Sequence, residues 1–393
     1  MNLIFYDSNE AWENFLPLTY TRPISELRIG ILKICEKWNY YLIGNTFYYT
    51  KEYLRKKFPL VIKSENLIIN SCVLPNKYLI KLINNSNLNE IYFYKETFIF
   101  SKLDENETKN FLNNIISDNV IRKEIEQKPV IIEYLWDIFR LNEEEILNDF
   151  DLIIKNKESE KLPSYVIYKG DKKSLFIEKG ANINFCVINA EYGPIYIGEE
   201  TEIMDGALIR GPLALCEGSV LKMGAKIYGP TTIGPFSKIG GEINNSVILG
   251  YSNKAHEGFL GNSVIGEWCN IGANTDTSNL KNTYETVKMW NYRKKGFINT
   301  GLQFAGLIMG DHTKCGINTM FNTGTVIGVC CNLYGEGYHR NFVPSFSWGN
   351  SKGYKKYEIT KAIETIKKMM SRRNHSLSQN DVEILNWIYE NDL

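Results

Sequence analysis

Apolar residues recur at every sixth position in the second half of the chain, a spacing that neither an α-helix nor an alternating strand requires. One run has eight members without a break and a second run has five: Ile197, Ile203, Ile209, Leu215, Leu221, Ile227, Ile233 and Ile239, then Met309, Cys315, Phe321, Ile327 and Leu333. A short fixed repeat predicts a solenoid, in which each unit buries its apolar residue against the coils above and below. A β-sandwich of short strands is the alternative, but it does not explain thirteen positions in register.

Many hexads contain glycine, including the two that begin at Ile197 and Ile233. Glycine allows the positive φ angles that the corners of such a coil need. The hexads resemble the left-handed parallel β-helix of the hexapeptide acyltransferases, in which about three hexads form one triangular turn. The resemblance predicts this β-helix over residues 179–340, with a polar, aromatic-containing interruption at 276–303.

Residues 1–155 show the mixed pattern of an α/β domain. Asn2–Tyr6 is predicted as the first strand, and the spacing of apolar residues over Ser25–Trp38 predicts an amphipathic helix. Further strands are predicted at three apolar segments: Tyr41–Ile43, Leu67–Ile69 and Ile91–Phe100.

Two other segments differ in composition from these domains. Residues 156–178 are rich in Lys, Glu and Asp and are predicted as a linker. Residues 341–393 are predicted as a helical tail that caps the open end of the solenoid, with helices at Tyr357–Arg373 and Asp381–Tyr389.

The composition and charge of the chain argue against nucleic acids and membranes as binding partners. Lys plus Arg and Asp plus Glu both number 45, so the chain has no global charge to attract nucleic acid or a membrane. The eight cysteines show no CxxC and no Cys/His spacing typical of zinc, and we interpret them as reduced thiols. The first residues lack the pattern of a signal peptide, and no apolar run is long enough to span a bilayer. We therefore predict a cytoplasmic protein without nucleic-acid or membrane partners.

The most informative motif interrupts the hexad register. The chain reads KAHEGFLGN from Lys254 and NIGANTDTSN from Asn270. These segments resemble the KAGHxxYLGD and NIGAGTxxxN segments of the bifunctional family that joins glucosamine-1-phosphate N-acetyltransferase to UDP-N-acetylglucosamine pyrophosphorylase. The resemblance implies that His256 is the catalytic histidine, that Phe259 and Asn279 contact the substrate, and that Gly272 and Ala273 contact coenzyme A.

The chemistry of acetyl transfer is consistent with this assignment. The sugar amine must be neutral when it attacks the thioester, and an imidazole, with an ordinary pKa near 6.5, can accept its proton at neutral pH. Lys254 is predicted to bind the sugar phosphate as a point charge. The structural alternative is a histidine in a surface loop beside a solvated lysine.

The chain departs from the family upstream of His256, where the arginine and lysine that bind the sugar phosphate are replaced by Gly240 and by Asn244 and Asn245. The interruption contains basic residues that could replace the lost charge, and polar and aromatic residues that could shape the same pocket: Lys281, Lys288, Arg293, Lys294 and Lys295, with Gln303, Trp290, Tyr292 and Phe304. We state this replacement as a hypothesis.

A second motif lies near the amino terminus, where Leu16–Pro23 reads LPLTYTRP. It resembles the PLTxxRPKP segment of sugar-nucleotide pyrophosphorylases, which implies a nucleotidyltransferase-like, Rossmann-like domain with Arg22 and Arg28 on phosphates. The alternative is a proline-bounded turn before a helix.

Two features of the family are absent from this region. The family's glycine-rich loop is missing at residues 7–10, and Ile24 replaces its motif lysine. The sequence does not identify the metal ligands, and Asp7, Asp137 and Asp151 are the candidates for binding Mg²⁺.

Taken together, the resemblance implies two reactions in a cell-wall precursor pathway. Glucosamine 1-phosphate would be acetylated from acetyl-CoA, and the product would be uridylated from UTP with Mg²⁺ to UDP-N-acetylglucosamine. The family also implies a homotrimer. Three alternatives stay open: an acetyltransferase with a decayed N-domain, a nucleotidyltransferase for UTP or dTTP with a regulatory β-helix, and a non-catalytic trimeric scaffold.

Overall fold

A computed structural model describes residues 1–392. The chain divides into two compact units. The first comprises residues 1–15, 21–27 and 32–134, and the second comprises residues 16–20, 28–31 and the chain from residue 135 onward. Within residues 1–392, no helix is both long enough and apolar enough to cross a membrane.

The first unit is built on one mixed sheet. Its strands are β1 (Asn2–Tyr6), β2 (Asn45–Tyr49), β3 (Glu65–Asn70), β4 (Glu90–Tyr94), β5 (Thr97–Asp104) and β6 (Ile121–Glu124), in the order β2-β1-β3-β5-β4-β6. Its helices are α1 (Asn9–Asn14), α2 (Ile34–Tyr41), α3 (Lys77–Asn84) and α4 (Glu105–Leu112). Strand β1 pairs in parallel with β2 and β3, and its Leu3, Ile4 and Phe5 are fully buried. Burial on both faces explains why this strand is continuously apolar.

Three predictions for this region need correction. The helix predicted over Ser25–Trp38 is wrong in its first half, because Ile24–Glu26 is a single 3₁₀ turn and α2 begins at Ile34. The strand predicted at Tyr41–Ile43 is wrong, because α2 continues to Tyr41 and the strand starts at Asn45. The segment Ile91–Phe100 spans two antiparallel strands joined by a turn instead of one strand.

The predicted β-helix is confirmed and forms most of the second unit. Its first face contains β7 (Ile167–Lys169), β10 (Val187–Asn189), β13 (Leu208–Arg210), β16 (Lys226–Tyr228), β19 (Glu242–Asn244) and β22 (Phe259–Gly261). Its second face contains β8 (Leu175–Ile177), β11 (Ile195–Ile197), β14 (Leu213–Leu215), β17 (Thr231–Ile233), β20 (Val247–Gly250), β23 (Val264–Glu267), β28 (Ile308–Met309), β31 (Val326–Ile327) and β33 (Phe342–Val343). Its third face contains β9 (Asn182–Ile183), β12 (Glu202–Ile203), β15 (Val220–Leu221), β18 (Lys238–Ile239), β21 (Asn253–Lys254), β24 (Asn270–Ile271), β29 (Lys314–Cys315), β32 (Asn332–Leu333), β34 (Ser347–Asn350) and β35 (Gly353–Lys356).

The thirteen residues of the hexad pattern all belong to one buried core, and each is at most 5% exposed. The parallel pairing of successive coils places like positions above each other, as Ile203 pairs with Leu221 and Leu221 with Ile239. Each coil therefore contributes one buried apolar side chain from each of its three faces. Paired residues on one face are eighteen positions apart, so three faces give the six-residue period.

At one corner of the β-helix, residues other than glycine adopt the positive φ angles for which glycine was expected. Phe236, Tyr251 and Trp268 adopt positive φ angles at corresponding positions of three successive coils. Their rings stack, with centroids 5.3 Å apart for Phe236 and Tyr251 and 4.5 Å apart for Tyr251 and Trp268. Aromatic stacking offsets the cost of the left-handed backbone, so glycine is not required there.

The interruption at 276–303 is an excursion from the coil. Strand β25 (Asp276–Thr277) still pairs in parallel with β30 (Met320–Phe321). Strands β26 (Lys288–Asn291) and β27 (Gly296–Asn299) then form an antiparallel hairpin.

Up to residue 392, the α-helices of the second unit are α5 (Asp137–Arg140), α6 (Asn142–Ile153), α7 (Ile359–Ser371) and α8 (Gln379–Asn391). The two predicted tail helices correspond to α7 and α8. The first coil already includes β7 and β8, within the segment predicted as a linker. The domain bounds drawn from the sequence stay predictions.

Candidate active site

His256 lies on an exposed corner between the third and first faces of the β-helix. Strand β21 ends at Lys254 and β22 begins at Phe259, so residues 255–258 form the corner. In the part of the chain that the structure describes, no protein group hydrogen-bonds the His256 ring. The ring is therefore available to accept a proton from a bound substrate.

Lys254 lies beneath this corner and is only 2% exposed. Its Nζ donates to the carbonyl oxygens of His256, at 3.0 Å, and Gly240, at 3.1 Å. Burial lowers the pKa of this ammonium to about 8, against the opposing effect of the Glu257 and Asp276 carboxylates. This placement does not support the predicted phosphate contact, because the charge is directed at the protein backbone. It gives Lys254 a different role, as the group that holds the His256 corner in place.

Gly241 in the coil below shows how tightly this corner is packed. Its φ is +70°, and a Cβ at this position would lie 2.7 Å from the His256 carbonyl oxygen and 2.8 Å from Lys254 Nζ. The Gly258 carbonyl oxygen would be equally close, at 2.8 Å. A side chain here would have to displace the corner, so glycine is required by both conformation and space.

A cavity of about 700 Å³ opens beside His256 and is here called the His256 cavity. It is lined by Lys238, Asn253, Ala255, His256, Asn270, Ile271, Gly272, Ala273, Lys314, Ile317, Lys368, Met369, Arg372 and Arg373. The structure thus brings together three of the predicted site residues, namely His256, Gly272 and Ala273. Sequence reasoning missed the basic residues of the tail, which we predicted only as a cap.

Phe259 and Asn279 lie together on the first-face side of the same corner. A Cβ on Gly261 would lie 2.5 Å from Phe259 Cζ and 2.7 Å from Asn279 Nδ2, so both side chains cover this glycine. Asn279 Nδ2 also donates to Asn262 Oδ1 at 2.8 Å. These two predicted substrate contacts are therefore neighbours, separated from Gly272 and Ala273 by the corner that carries His256.

A larger cavity of about 1110 Å³ lies beneath the hairpin β26–β27 and is here called the hairpin cavity. It is lined by Ser278, Leu280, Lys281, Asn282, Thr283, Lys288, Trp290, Phe297, Asn322, Thr323, Tyr338, Arg340, Asn341 and Phe342. Two of the five predicted basic residues, Lys281 and Lys288, line it, whereas residues 293–295 do not. Arg340 is a third cation that the sequence did not indicate, because it belongs to a later coil.

Of the aromatic and polar residues predicted for this pocket, only some line the hairpin cavity. Trp290 lines the hairpin cavity and stacks on Phe342 at 4.2 Å between ring centroids. Tyr292 is buried against Phe342 and Tyr20 instead. Phe304 and Gln303 are not among the lining residues, and Gln303 donates to the Tyr284 carbonyl.

Comparison with known proteins bears on both halves of the chain. A family model described as sugar nucleotidyl transferase matches residues 3–158. This region therefore resembles a sugar nucleotidyl transferase domain.

The nucleotidyl transferase domain is joined to a β-helix, and three relatives show similarity to this chain. A bifunctional sugar-1-phosphate nucleotidylyltransferase/acetyltransferase from Sulfurisphaera tokodaii is 33% identical over 144 residues, which are 36% of this chain and 35% of that protein. The bifunctional protein GlmU of Methanococcus vannielii is 28% identical over 275 residues, 67% of this chain and 59% of its own length. A putative uncharacterized acetyltransferase, YaiX of Escherichia coli, is 27% identical over 177 residues, 44% of this chain and 74% of that protein.

The chain matches between 20% and 59% of the length of the bifunctional relatives. The nucleotidyl transferase domain and these relatives confirm the predicted resemblance to bifunctional nucleotidyltransferase–acetyltransferases at a divergent level of identity. They also support the prediction of a transferase.

The predicted phosphate ligands of the nucleotidyl transferase domain are buried. Arg22, in the first unit, is 6% exposed. Arg28, in the second unit, is 7% exposed, and its guanidinium donates to the Ile31 carbonyl oxygen. Both contacts with a nucleotide stay predictions, and Arg28 already has a backbone acceptor.

Where the resembled family has its glycine-rich loop, this chain makes a tight turn into a helix. Ser8 caps α1, its hydroxyl accepting from Ala11 N at 3.2 Å. Asp7 is buried and accepts from Thr50 Oγ1 at 2.7 Å, and burial raises the pKa of this carboxyl to about 6.

The other two candidate magnesium ligands lie in the second unit. Asp137 is paired with Arg140 at 2.8 Å, and Asp151 is exposed. Among residues 1–392, no group of three or more His, Cys, Asp and Glu side chains could hold a metal ion.

Proposed function

We propose that this protein is a bifunctional transferase of sugar-nucleotide synthesis. Its β-helix would acetylate glucosamine 1-phosphate from acetyl-CoA, and its first unit would join N-acetylglucosamine 1-phosphate to UTP. The products are free coenzyme A in the first reaction, and UDP-N-acetylglucosamine and pyrophosphate in the second. The main support is the position of His256, which lies on a corner with the His256 cavity on one side and Phe259 and Asn279 on the other.

The chemistry at His256 requires only a base and a properly placed acceptor. The imidazole takes a proton from the sugar amine as the nitrogen attacks the thioester carbonyl. The new C–N bond forms, the C–S bond breaks, and the proton is delivered to the leaving thiolate. Lys254 keeps the histidine in position through the His256 carbonyl oxygen, at 3.0 Å.

For uridyl transfer, positioning and charge neutralisation are the main requirements. Mg²⁺ enters the proposal as the ion that accompanies UTP, since magnesium often binds through substrate phosphates and only one or two carboxylates. No step is assigned to a protein metal centre.

One observation favours a second candidate, an acetyltransferase whose first unit is inactive. Residues 7–10 lead from β1 directly into α1, leaving no open glycine-rich loop to bind a triphosphate. This candidate differs from the first only in the absence of uridyl transfer.

A two-part turnover assay on the full chain distinguishes these candidates. In the first part, glucosamine 1-phosphate and acetyl-CoA are supplied and free thiol is followed. In the second, N-acetylglucosamine 1-phosphate, UTP and Mg²⁺ are supplied and pyrophosphate is followed. We expect both products. Release of thiol without pyrophosphate, with dTTP also inactive, would favour the second candidate. If neither product were formed, the non-catalytic trimeric scaffold would be favoured. The proposal includes a cytoplasmic homotrimer, which light scattering can test by measuring the mass in solution.

We assign the sugar phosphate to the hairpin cavity. Lys288 and Arg340 have no ion pair within residues 1–392, and the lining includes no Asp or Glu. Lys281 Nζ donates to the Thr286 carbonyl oxygen at 3.0 Å and lies on the same wall. Lys281 also pairs with Glu285 at 3.9 Å. Lys288 and Arg340 are therefore the cations available to a ligand, and cations beside an aromatic surface suit a phosphorylated sugar.

Replacing Lys288 by alanine is expected to raise the KM for glucosamine 1-phosphate about tenfold to a hundredfold. The physical reason is the loss of a charged contact, which contributes about 1.5–3 kcal/mol. The KM for acetyl-CoA should stay the same. Lys295→Ala is the matched control, because this lysine is exposed on the same hairpin and does not line the cavity. An unchanged KM in Lys288→Ala would remove the sugar phosphate from this cavity.

A further inference from the structure

The hairpin cavity is larger than the substrate assigned to it requires. Its volume is about 1110 Å³, whereas pockets of roughly 300–1,000 Å³ already enclose drug-sized ligands. Glucosamine 1-phosphate is a single sugar ring with one phosphate, so it would fill only part of this space. The cavity can therefore accommodate a longer ligand that contains the same sugar and phosphate.

The hairpin contributes a cation and aromatic rings to one wall of the cavity. Lys288 and Trp290 are alternate residues of β26, so their side chains extend from one face of the strand. Trp290 pairs directly with Phe297 of β27, and the two rings meet edge-on at 5.4 Å between centroids. Phe297 is 48% exposed although its side chain is apolar. This wall therefore offers a cation beside an accessible aromatic surface.

The segment before β33 contributes a second cation and a second ring to the lining. Tyr338 forms a parallel bridge with Met320, so the backbone is extended there and alternate side chains point the same way. The burial pattern agrees, because Tyr338 and Arg340 are exposed whereas His339 between them is only 2% exposed. Tyr338 is 59% exposed. An arginine and a tyrosine therefore extend together into the cavity.

Hydrogen bonds hold this second segment in place before any ligand binds. His339 Nδ1 and the Tyr354 hydroxyl form a hydrogen bond of 2.8 Å. Asn341 Nδ2 donates to the Thr323 carbonyl oxygen at 2.7 Å. Both neighbours of Arg340 are thus anchored, so its guanidinium extends from a fixed backbone. A site formed in advance reduces the entropy cost of binding.

We propose that the hairpin cavity also binds a nucleoside diphosphate sugar, the product of the second reaction, and that this binding inhibits the first reaction. The phosphate next to the sugar contacts Lys288, the second phosphate contacts Arg340, and the base stacks on Tyr338. Because the sugar and its phosphate then occupy the place of glucosamine 1-phosphate, the two ligands exclude each other. This inference rests on the proposed function.

The combination of two cations and an exposed tyrosine favours a nucleotide over a sugar phosphate alone. A single phosphate leaves Arg340 and Tyr338 without a function. A nucleoside diphosphate supplies a second phosphate, which a guanidinium can bind with two parallel hydrogen bonds, and a flat base that can stack on an aromatic ring. The lining includes no Asp or Glu that would repel the added negative charge.

The test follows thiol release at saturating acetyl-CoA. Glucosamine 1-phosphate is varied at several fixed concentrations of UDP-N-acetylglucosamine, and we expect competitive inhibition, with a raised apparent KM and an unchanged kcat. In Tyr338→Ala the inhibition constant should rise about tenfold, in line with the usual contribution of a base stacked on an aromatic side chain. The KM for glucosamine 1-phosphate, which has no base, should be unchanged in this variant.

The controls separate stacking of the base from loss of structure. Tyr334→Ala removes a tyrosine that is 43% exposed and does not line the cavity, so both constants should stay the same. N-acetylglucosamine 1-phosphate lacks the base and should inhibit the wild type and Tyr338→Ala equally. Absence of inhibition by the nucleotide sugar, inhibition that is not competitive, or an unchanged inhibition constant in Tyr338→Ala would each overturn the proposal.

Calorimetric titration of UDP-N-acetylglucosamine into the full chain separates this proposal from the proposed function. Binding by the first unit would be the same in Tyr338→Ala and Tyr334→Ala. Binding that weakens only in Tyr338→Ala supports the nucleotide site even if no thiol is released in turnover. Thiol release that is insensitive to UDP-N-acetylglucosamine overturns the proposed inhibition while leaving the acetyltransferase intact.

Discussion

Replacing His256 by glutamine is expected to lower kcat for acetyl transfer by roughly 10²- to 10⁴-fold, the usual contribution of a general base. The KM for both substrates should change little, because the ring lies at the edge of the His256 cavity and the basic lining remains. Release of pyrophosphate by the first unit should be unaffected. The measurement is thiol release under saturating acetyl-CoA and glucosamine 1-phosphate.

His375→Gln is the matched control for this substitution. His375 is an exposed histidine of the tail whose ring meets Tyr251 and Trp268 edge-on, at 5.1 and 5.5 Å between centroids. It does not line the His256 cavity. If His375→Gln and His256→Gln lost activity equally, or if His256→Gln kept full activity, the base would have to be sought elsewhere.

Replacing Lys254 by methionine is expected to lower kcat about tenfold to a hundredfold without raising the KM for either substrate. The variant leaves the carbonyl oxygens of Gly240 and His256 without their buried donor, at roughly 1–3 kcal/mol for each unsatisfied group. The corner that carries His256 would then no longer be held in one position. A selective rise in the KM for the sugar phosphate would instead support the prediction from the sequence that Lys254 binds the phosphate. Lys179→Met, at an exposed lysine of the β-helix, is the control and should be neutral.

The same lysine gives stability a specific pH dependence. Burial lowers its pKa from the ordinary value near 10.5 to about 8, so the folded protein releases the proton before the unfolded chain does. Burial of the charged ammonium destabilises the fold fully below about pH 8, and this destabilisation decreases as the pH rises towards 10.5. The free energy of unfolding of the wild type relative to Lys254→Met should therefore increase across this window, by at most roughly 3 kcal/mol. A decrease over the same range would contradict the assignment.

The six-residue pattern could be recognised in the sequence because every coil buries its apolar residues through the same local contacts. Ile203, Leu221 and Ile239 are buried for one reason, which is their contact with the coil on each side. The departures arise where contacts distant in sequence replace local ones. The backbone N–H groups of Gly30 and Ile31 bind the side chains of Asn142 and Asp149, more than a hundred residues away, so the predicted helix does not form there.

The candidate site shows the same division. His256 and its flanking motif could be proposed from sequence because the candidate base and its neighbours are close along the chain. Arg340 and Arg372 could not be found, since a later coil and the tail helix bring them to their cavities. The burial of Lys254 was also hidden, because a lysine in a motif gives no sign of whether its charge meets solvent or a carbonyl.

The segment around Gly30 also limits how this protein could be recombined with its relatives. Thr232 Oγ1, on β17 of the β-helix, donates to the Gly30 carbonyl at 2.9 Å and to Asn142 Oδ1 at 3.1 Å. Both Gly30 and Asn142 fall within the stretch 3–158 that matches the nucleotidyl transferase family.

A gene crossover near residue 158 would therefore transplant a foreign loop and a foreign helix α6 onto the β-helix. A crossover near residue 134 would still exchange residues 16–20 and 28–31, which belong to the second unit. No single breakpoint exchanges one of the two compact units cleanly for another. We expect the two halves of such proteins to have been inherited together, with residues 28–31, α6 and β17 changing in concert.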